Sequence, residues 1–291
     1  MHQERTDLST GVAVFFGAAM GVAEDQGFSP SAGKPAAAVD SWGRLGIPLR
    51  IVEPPSVSRD DIARAHDPDY VDGILGRRIR NGFGNTSAAV AASLPFTSGS
   101  MLAAAREALR NGAVAVAPCS GFHHAGVAEA FGYCTFNGLM VAALALHASG
   151  EAKRVGILDF DQHYGDGTDQ IIERLNLDWV VHHTEGQEYR SQEDAEPFLA
   201  RIADIVASMG NCDVMLYQAG ADPHIDDPLG GWLTTAQLFE RDRRVFEAAR
   251  DIGLPVAWNL AGGYQTPLRK VLEIHDNTMR ACWAVYSAAS G

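Results

Sequence analysis

The stretch VGILDFDQHYGDGTDQ, residues 155–170, starts as an apolar run and then places Asp159, Asp161, His163, Asp166 and Asp169 within eleven positions. The run reads as a strand that is apolar on both faces, and such strands belong to parallel sheets covered by helices on both sides. Charges at its carboxyl end fall where open α/β folds gather their ligands. In extended chain, residues i, i+2 and i+4 share a face, so Asp159, Asp161 and His163 are expected to point together. Zinc combines imidazole and carboxylate ligands, so an Asp with a His two residues on can begin a zinc site. The same spacing also fits a polar loop that caps the next helix.

Working outward, six more β-rich runs recur: VAVFF (12–16), PLRIVE (48–53), AVAVA (113–117), WVVHH (179–183), DVMLYQAG (213–220) and PVAWNLAGG (255–263). Between them SGSMLAAAREALRNG (98–112), FNGLMVAALALHASG (136–150), DAEPFLARIADIVASMG (194–210) and TAQLFERDRRVFEAARDIG (235–253) show 3.6-residue periodicity, and each ends at a glycine suited to close a helix. Strands alternating with helices mean an α/β fold with a mostly parallel sheet. The Gly-, Pro-, Ala- and Ser-rich segment 23–47 reads as a long loop rather than a boundary, so residues 1–291 are expected to form one domain.

A formal net charge of -13 argues against nucleic acid or an anionic membrane surface as the partner and favours a cationic substrate. Cys119, Cys134, Cys212 and Cys282 show no CxxC pairing and read as reduced, buried thiols. The N-terminal MHQERTDLSTGVAVFFGAAMG carries only a short apolar run, and no segment reads as approaching the roughly 20 apolar residues of a membrane span. The cytoplasm is the expected compartment.

Other strand ends carry reactive groups. Asp222 closes DVMLYQAGAD, His123 and His124 follow AVAVA in SGFHHAG, and Tyr264 follows two glycines in NLAGGY. Asp161, His163 and Asp222 as three ligands would leave an open metal position, the arrangement of a hydrolytic site. The paired imidazoles would supply a general base and Tyr264 a donor to a developing oxyanion. Asp159 and Asp166 would hold the two imidazoles in the correct tautomer.

GFHHAG with the downstream FGYCTFN, then DFDQHYGDG, AGADPHIDDPLG and AGGYQ, resemble the successive signatures of the histone deacetylase family in that family's chain order. AHDPDYVDGIL (65–75) and SGSMLAAAREAL resemble upstream segments, so the likeness covers most of residues 65–291. The resemblance implies the arginase/deacetylase fold, a three-layer α/β/α domain with a mostly parallel eight-stranded sheet. It implies Asp161, His163 and Asp222 as ligands of zinc, with ferrous iron the alternative, and a potassium ion held near Asp159, Asp161 and His163. It makes His124 the general base and acid, His123 its electrostatic companion and Tyr264 the donor to the acyl oxygen, with Asp159 and Asp166 the acids paired with the first and second His. Gly132 and Tyr133 fall where the family lines its acyl-lysine channel.

The implied activity is hydrolysis of an N-acetylated amine, small molecule or peptide, with acetyl-lysine favoured. Acetylpolyamines are the alternative; Leu229 stands where some polyamine-selective relatives carry an acidic gatekeeper and lysine deacetylases carry leucine. Against the family pattern, the segment after WVVHH, HTEGQEYRSQEDAEP, is short where relatives build one rim of the pocket. A neighbouring subunit would complete that rim in a homo-oligomer. The first 60 residues lack the His-Pro-Glu pattern of many relatives and offer GFSPSAGKP instead. An arginase-like dimanganese enzyme would want a DxD pair where Asp222 is followed by Pro223, His224 and Ile225, and a non-catalytic metal-binding module has no need of His123, His124 and Tyr264 together. His66, Tyr70, His147, His182 and His183 read as local packing residues, Asp226 and Asp227 as a turn before Pro228, and Asp169 as a helix start.

Overall fold

A computed structural model describes residues 11–22, 27–186, 188–189 and 191–287. Of the N-terminal stretch 1–21, residues 1–10 lie outside them, and its apolar run supplies β1. In chain order the regular elements are β1 (Val12–Phe15), α1 (Lys34–Trp42), β2 (Leu49–Val52), α2 (Arg59–Ile62), α3 (Pro68–Leu75), α4 (Ala88–Asn111), β3 (Val114–Ala117), α5 (Gly138–Ser149), β4 (Val155–Asp159), α6 (Asp166–Leu175), β5 (Val180–Thr184), α7 (Ala195–Ser208), β6 (Val214–Gln218), α8 (Thr235–Asp251), β7 (Val256–Asn259) and α9 (Arg269–Ser287).

All strand pairings are parallel, in the order β2-β1-β3-β7-β6-β4-β5. The described residues therefore hold seven strands where eight were expected. Beyond β5 the chain turns at Gly186, where a Cβ would lie 2.1 Å from the His163 carbonyl carbon, and runs into α7, so the sheet ends there. Successive side chains of each central strand enter opposite cores. Val12, Val14, Val116, Leu158, Tyr217 and Trp258 pack with α1, α7, α8 and α9, whereas Ala13, Phe15, Ala117, Ile157, Leu216 and Ala257 pack with α3, α4 and α5. This is the three-layer α/β/α architecture.

Three further expectations need correction. The helix expected from residue 98 starts ten residues earlier, capped by the Ser87 hydroxyl, and runs through Pro95. Proline removes one backbone donor and so disguised the first turns. That longer helix, α4, is apolar and long enough to cross a membrane, contrary to the reading above; here it packs across β1, β3 and β7 and against α5. Of the four glycines expected to close helices, Gly112, Gly150 and Gly253 adopt positive φ, but Gly210 does not.

Candidate metal and catalytic centre

The ends of β4, β6 and β7 and the loop after β3 converge on one point. β4 stops at Asp159, and the chain bends over Asp161–His163 instead of continuing extended. Asp161 and His163 therefore turn to meet Asp222 from the end of β6, while Asp159 stays beneath His123. The ligand atoms of Asp161, His163 and Asp222 all lie within 4.8 Å of one another. His163 Nδ1 is 3.1 Å from Asp161 Oδ1 and 3.1 Å from Asp222 Oδ2.

Backbone donors fix both carboxylates: Gly262 N–H donates to Asp161 Oδ2 at 2.8 Å and Gln162 N–H to Asp222 Oδ1 at 3.2 Å. Burial and the neighbouring Asp161 carboxylate push Asp222 up to about 7. Two carboxylates this close and this buried call for a cation between them. Hydrogen bonds that His163 donates to Asp161 and Asp222 raise it to about 11, so an incoming ion displaces a proton. One imidazole nitrogen and two carboxylates are the donor set of a divalent ion with open coordination positions, and the residues fit such an ion.

Across from this triad His123 and His124 lie ring to ring, with centroids 4.0 Å apart. His123 is buried, and its Nδ1 meets Asp159 Oδ2 at 2.7 Å; Asp159 is held in turn by the Asp161 N–H and the Gln218 amide. Burial opposes protonation of His123, but the charges of Asp159 and Asp161 outweigh it and raise the group to about 9. His124 Nδ1 meets Asp166 Oδ1 at 2.6 Å at the start of α6. Burial and the charge of His123 lower His124 below the usual histidine range. Two adjacent imidazoles are thus driven in opposite directions, as an acid and base pair requires.

Tyr264 is nearly buried, and burial with the Asp222 and Asp161 charges pushes its phenol far upward, which keeps it a donor. Its backbone N–H donates to Asp227 Oδ2 at 2.8 Å, so Asp227 is a support for the tyrosine and not merely a turn residue. Phe122, Tyr133 and Ala261 adopt positive φ beside His123, Gly132 and Gly262. Non-glycine residues in that region carry strain that clusters at functional sites. Gly132 itself has φ +52°, and a Cβ there would sit 2.5 Å from His124 Cδ2.

Two buried cations went unnoticed in the sequence. Lys34 Nζ donates to the carbonyls of Ala261 at 2.7 Å and Gly262 at 3.4 Å; burial lowers it to about 8 against the pull of Asp222, Asp161 and Asp227. Arg241 Nη1 donates to the carbonyls of Phe160 at 3.0 Å and Gly220 at 2.8 Å, while its Nε meets Asp242, which also takes the Tyr217 and Thr278 hydroxyls. Between them these cations brace the ends of β4, β6 and β7.

The remaining expected residues fall as follows. Tyr133 packs against Tyr264, with centroids 5.7 Å apart, and Leu229 is exposed with its N–H on Asp227. Asp169 does lie in the first turn of α6, but its carboxylate also takes the Tyr164 hydroxyl and His182 Nδ1. His183 pairs with Glu185, and His147 stacks flat on Trp179. His66 donates to the Gly126 carbonyl and accepts the Asn137 N–H that opens α5. All four cysteines are free and buried.

Residues 34–196, more than half of the chain, match the model of the histone deacetylase domain. The chain belongs to the histone deacetylase family. An uncharacterized protein of Picosynechococcus sp. is 28% identical to this deacetylase-family chain over 262 residues, 82% of this chain and 87% of that protein. Histone deacetylase 6 of Caenorhabditis elegans is 30% identical over 187 residues, 53% of this chain but 19% of that longer protein. The structure of an acetylpolyamine aminohydrolase from Burkholderia pseudomallei superposes with a TM-score of 0.70 at 20% identity, covering 94% of this chain and 99% of that one, which shows a shared fold.

Proposed function

We propose that this histone deacetylase family chain is a metal-dependent amidohydrolase that removes the acetyl group from an N-acetylated amine, with acetyl-lysine favoured over acetylpolyamines. The observation that carries the reading is the pair of imidazoles, each backed by its own carboxylate, facing the Asp161, His163 and Asp222 cluster beside Tyr264. Leu229 supports the lysine preference because it offers no charge to a second ammonium.

A divalent ion held by Asp161, His163 and Asp222, zinc or ferrous iron, would polarise the acetyl carbonyl and acidify the attacking water. His124, kept neutral at pH 7 by burial and by His123, accepts the proton of that water through the nitrogen not engaged by Asp166. His123, held protonated on Asp159, supplies positive charge as negative charge grows on the acyl group. Tyr264 donates its hydroxyl proton in a hydrogen bond to the developing oxyanion. His124 then returns its proton to the amine nitrogen, the C–N bond breaks, and acetate and free amine leave.

Amine release from acetyl-lysine peptides and acetylated polyamines, by metal-loaded protein beside its Tyr264→Phe and His124→Ala variants, tests the reading. Turnover that falls by two or more orders of magnitude in both variants supports it. Full turnover in either variant contradicts it.

A further inference from the structure

Beside Asp161 the fold encloses a cavity of about 10 Å³, room for one water-sized sphere. Phe198, Trp232 and Leu233, all buried, close it with apolar surface, while Arg241, Gln162 and Glu185 bring polar groups to its lining. Each of these three side chains carries one buried atom that no group among the described residues meets: Arg241 Nη2, Gln162 Oε1 and Glu185 Oε2. Arg241 is fully buried and Glu185 is 4% exposed, so bulk solvent does not serve them. A guanidinium N–H, a carboxylate oxygen and an amide oxygen make one donor and two acceptors around one small cavity. A water molecule matches that set by accepting one hydrogen bond and donating two, and about three bonds is usual for a buried water. A metal ion does not match it, because the guanidinium charge stands among the would-be ligands.

The other groups of the same three residues all hold the chain around Asp161 and Asp222. Gln162 stands between Asp161 and His163, and its N–H donates to Asp222 Oδ1 at 3.2 Å. Glu185, the first residue beyond β5, donates its N–H to the Asp159 carbonyl at 3.2 Å, and its Oε1 pairs with His183. Arg241 Nη1 clamps the Phe160 and Gly220 carbonyls. The next residue, Gly186, leaves no room for a Cβ against the His163 carbonyl. The short segment after β5 is therefore folded directly onto the bend that carries two of the metal ligands. That bend has no strand ladder of its own, since β4 stops at Asp159, so its anchors decide its conformation.

We propose that this cavity binds one structural water, and that through it Gln162 and Glu185 act as positioning residues for the metal centre. The inference rests on the metal-dependent reading above but not on the choice of acetylated substrate. The water accepts from Arg241 Nη2 and donates to Glu185 Oε2 and Gln162 Oε1. It thereby ties the side chain between Asp161 and His163 to α8 and to the end of β5, and holds the two ligands at the spacing that meets Asp222. Groups that orient metal ligands without touching the ion set its affinity.

A crystal structure of the wild type tests the water: density for one water within hydrogen-bond distance of Arg241 Nη2, Glu185 Oε2 and Gln162 Oε1 is expected. A cavity without density, an ion in it, or direct contact between these side chains overturns the proposal. Zinc titration against a competing chelator tests the positioning, in the wild type and in Gln162→Met, Glu185→Leu and Glu185→Gln, each shown to be folded by circular dichroism. Gln162→Met and Glu185→Leu each remove an acceptor and should weaken zinc binding about tenfold, whereas Glu185→Gln still bonds the water and should change it by no more than about threefold. Thermal unfolding of the metal-free proteins separates positioning from packing. Lower melting temperatures with zinc affinity unchanged, or an equal loss of affinity in Glu185→Gln, overturn the positioning role. A wild type that binds no zinc or ferrous iron contradicts the metal centre itself, while the crystal structure still decides the water.

Discussion

Lys34 and Ala261, 227 positions apart in the chain, are joined by a 2.7 Å hydrogen bond from the buried ammonium to the backbone carbonyl. The bond ties the first turn of α1 to the turn that delivers Gly262 and Tyr264. Replacing Lys34 with Met leaves a buried carbonyl without its donor and removes a positive charge facing three carboxylates. The expected cost is about 1–3 kcal/mol of stability, with turnover falling about tenfold as the Tyr264 turn loosens. Thermal unfolding and steady-state rates check both, and unchanged values in Lys34→Met would show that the ammonium is incidental.

Gly262 is expected to tolerate no side chain. A Cβ there would lie 2.1 Å from Asp222 Oδ2 and 2.7 Å from Asp161 Oδ2. Gly262→Ala should therefore push the two carboxylates apart and weaken metal binding by about 10- to 100-fold or more. Titration of zinc against a competing chelator measures this, with circular dichroism confirming a retained fold.

Arg241 is completely buried with Asp242 as its charge partner. Arg241→Met strands that carboxylate, so a loss of about 3–5 kcal/mol is expected in urea unfolding. The Phe160 and Gly220 carbonyls lose their clamp at the same time, and metal affinity should fall with stability.

His66 predicts a dependence of stability on pH that is separate from the metal centre. Burial lowers it to about 4, and its Nε2 must stay unprotonated to accept the Asn137 N–H. The unfolded chain binds this proton near pH 6.5 and the folded chain only near pH 4. Stability from His66 is therefore complete above pH 6.5 and is lost as pH falls through that window, by about 3 kcal/mol in total. NMR titration should show the His66 ring neutral down to about pH 4; a midpoint near 6.5 would contradict the account.

The strand-end charges of DFDQHYGDG were readable because apolar strands rarely end on so many acids without a ligand or a base to hold. The period-2 expectation nevertheless overextended the strand, since β4 stops at Asp159 and only a bend carries Asp161 and His163 to Asp222. Lys34 was hidden because its partners are backbone carbonyls far along the chain, which leave no mark in the sequence. Arg241 and Asp242 did leave one. The buried face of α8 holds Leu238, Arg241, Asp242, Val245, Phe246 and Ala249, so two opposite charges occupy the apolar stripe itself. The surrounding ERDRR run made them look like part of a solvated face.

The central claim is that the ion held by Asp161, His163 and Asp222 drives acetyl hydrolysis at His124 and Tyr264. The most direct test strips the protein with chelator and follows acetate release from an acetyl-lysine peptide as zinc or ferrous iron is added back. The account predicts a rise that breaks at one equivalent of metal and is absent in a folded Asp222→Asn variant. Acetate release that is independent of added metal, or undiminished in Asp222→Asn, would contradict it.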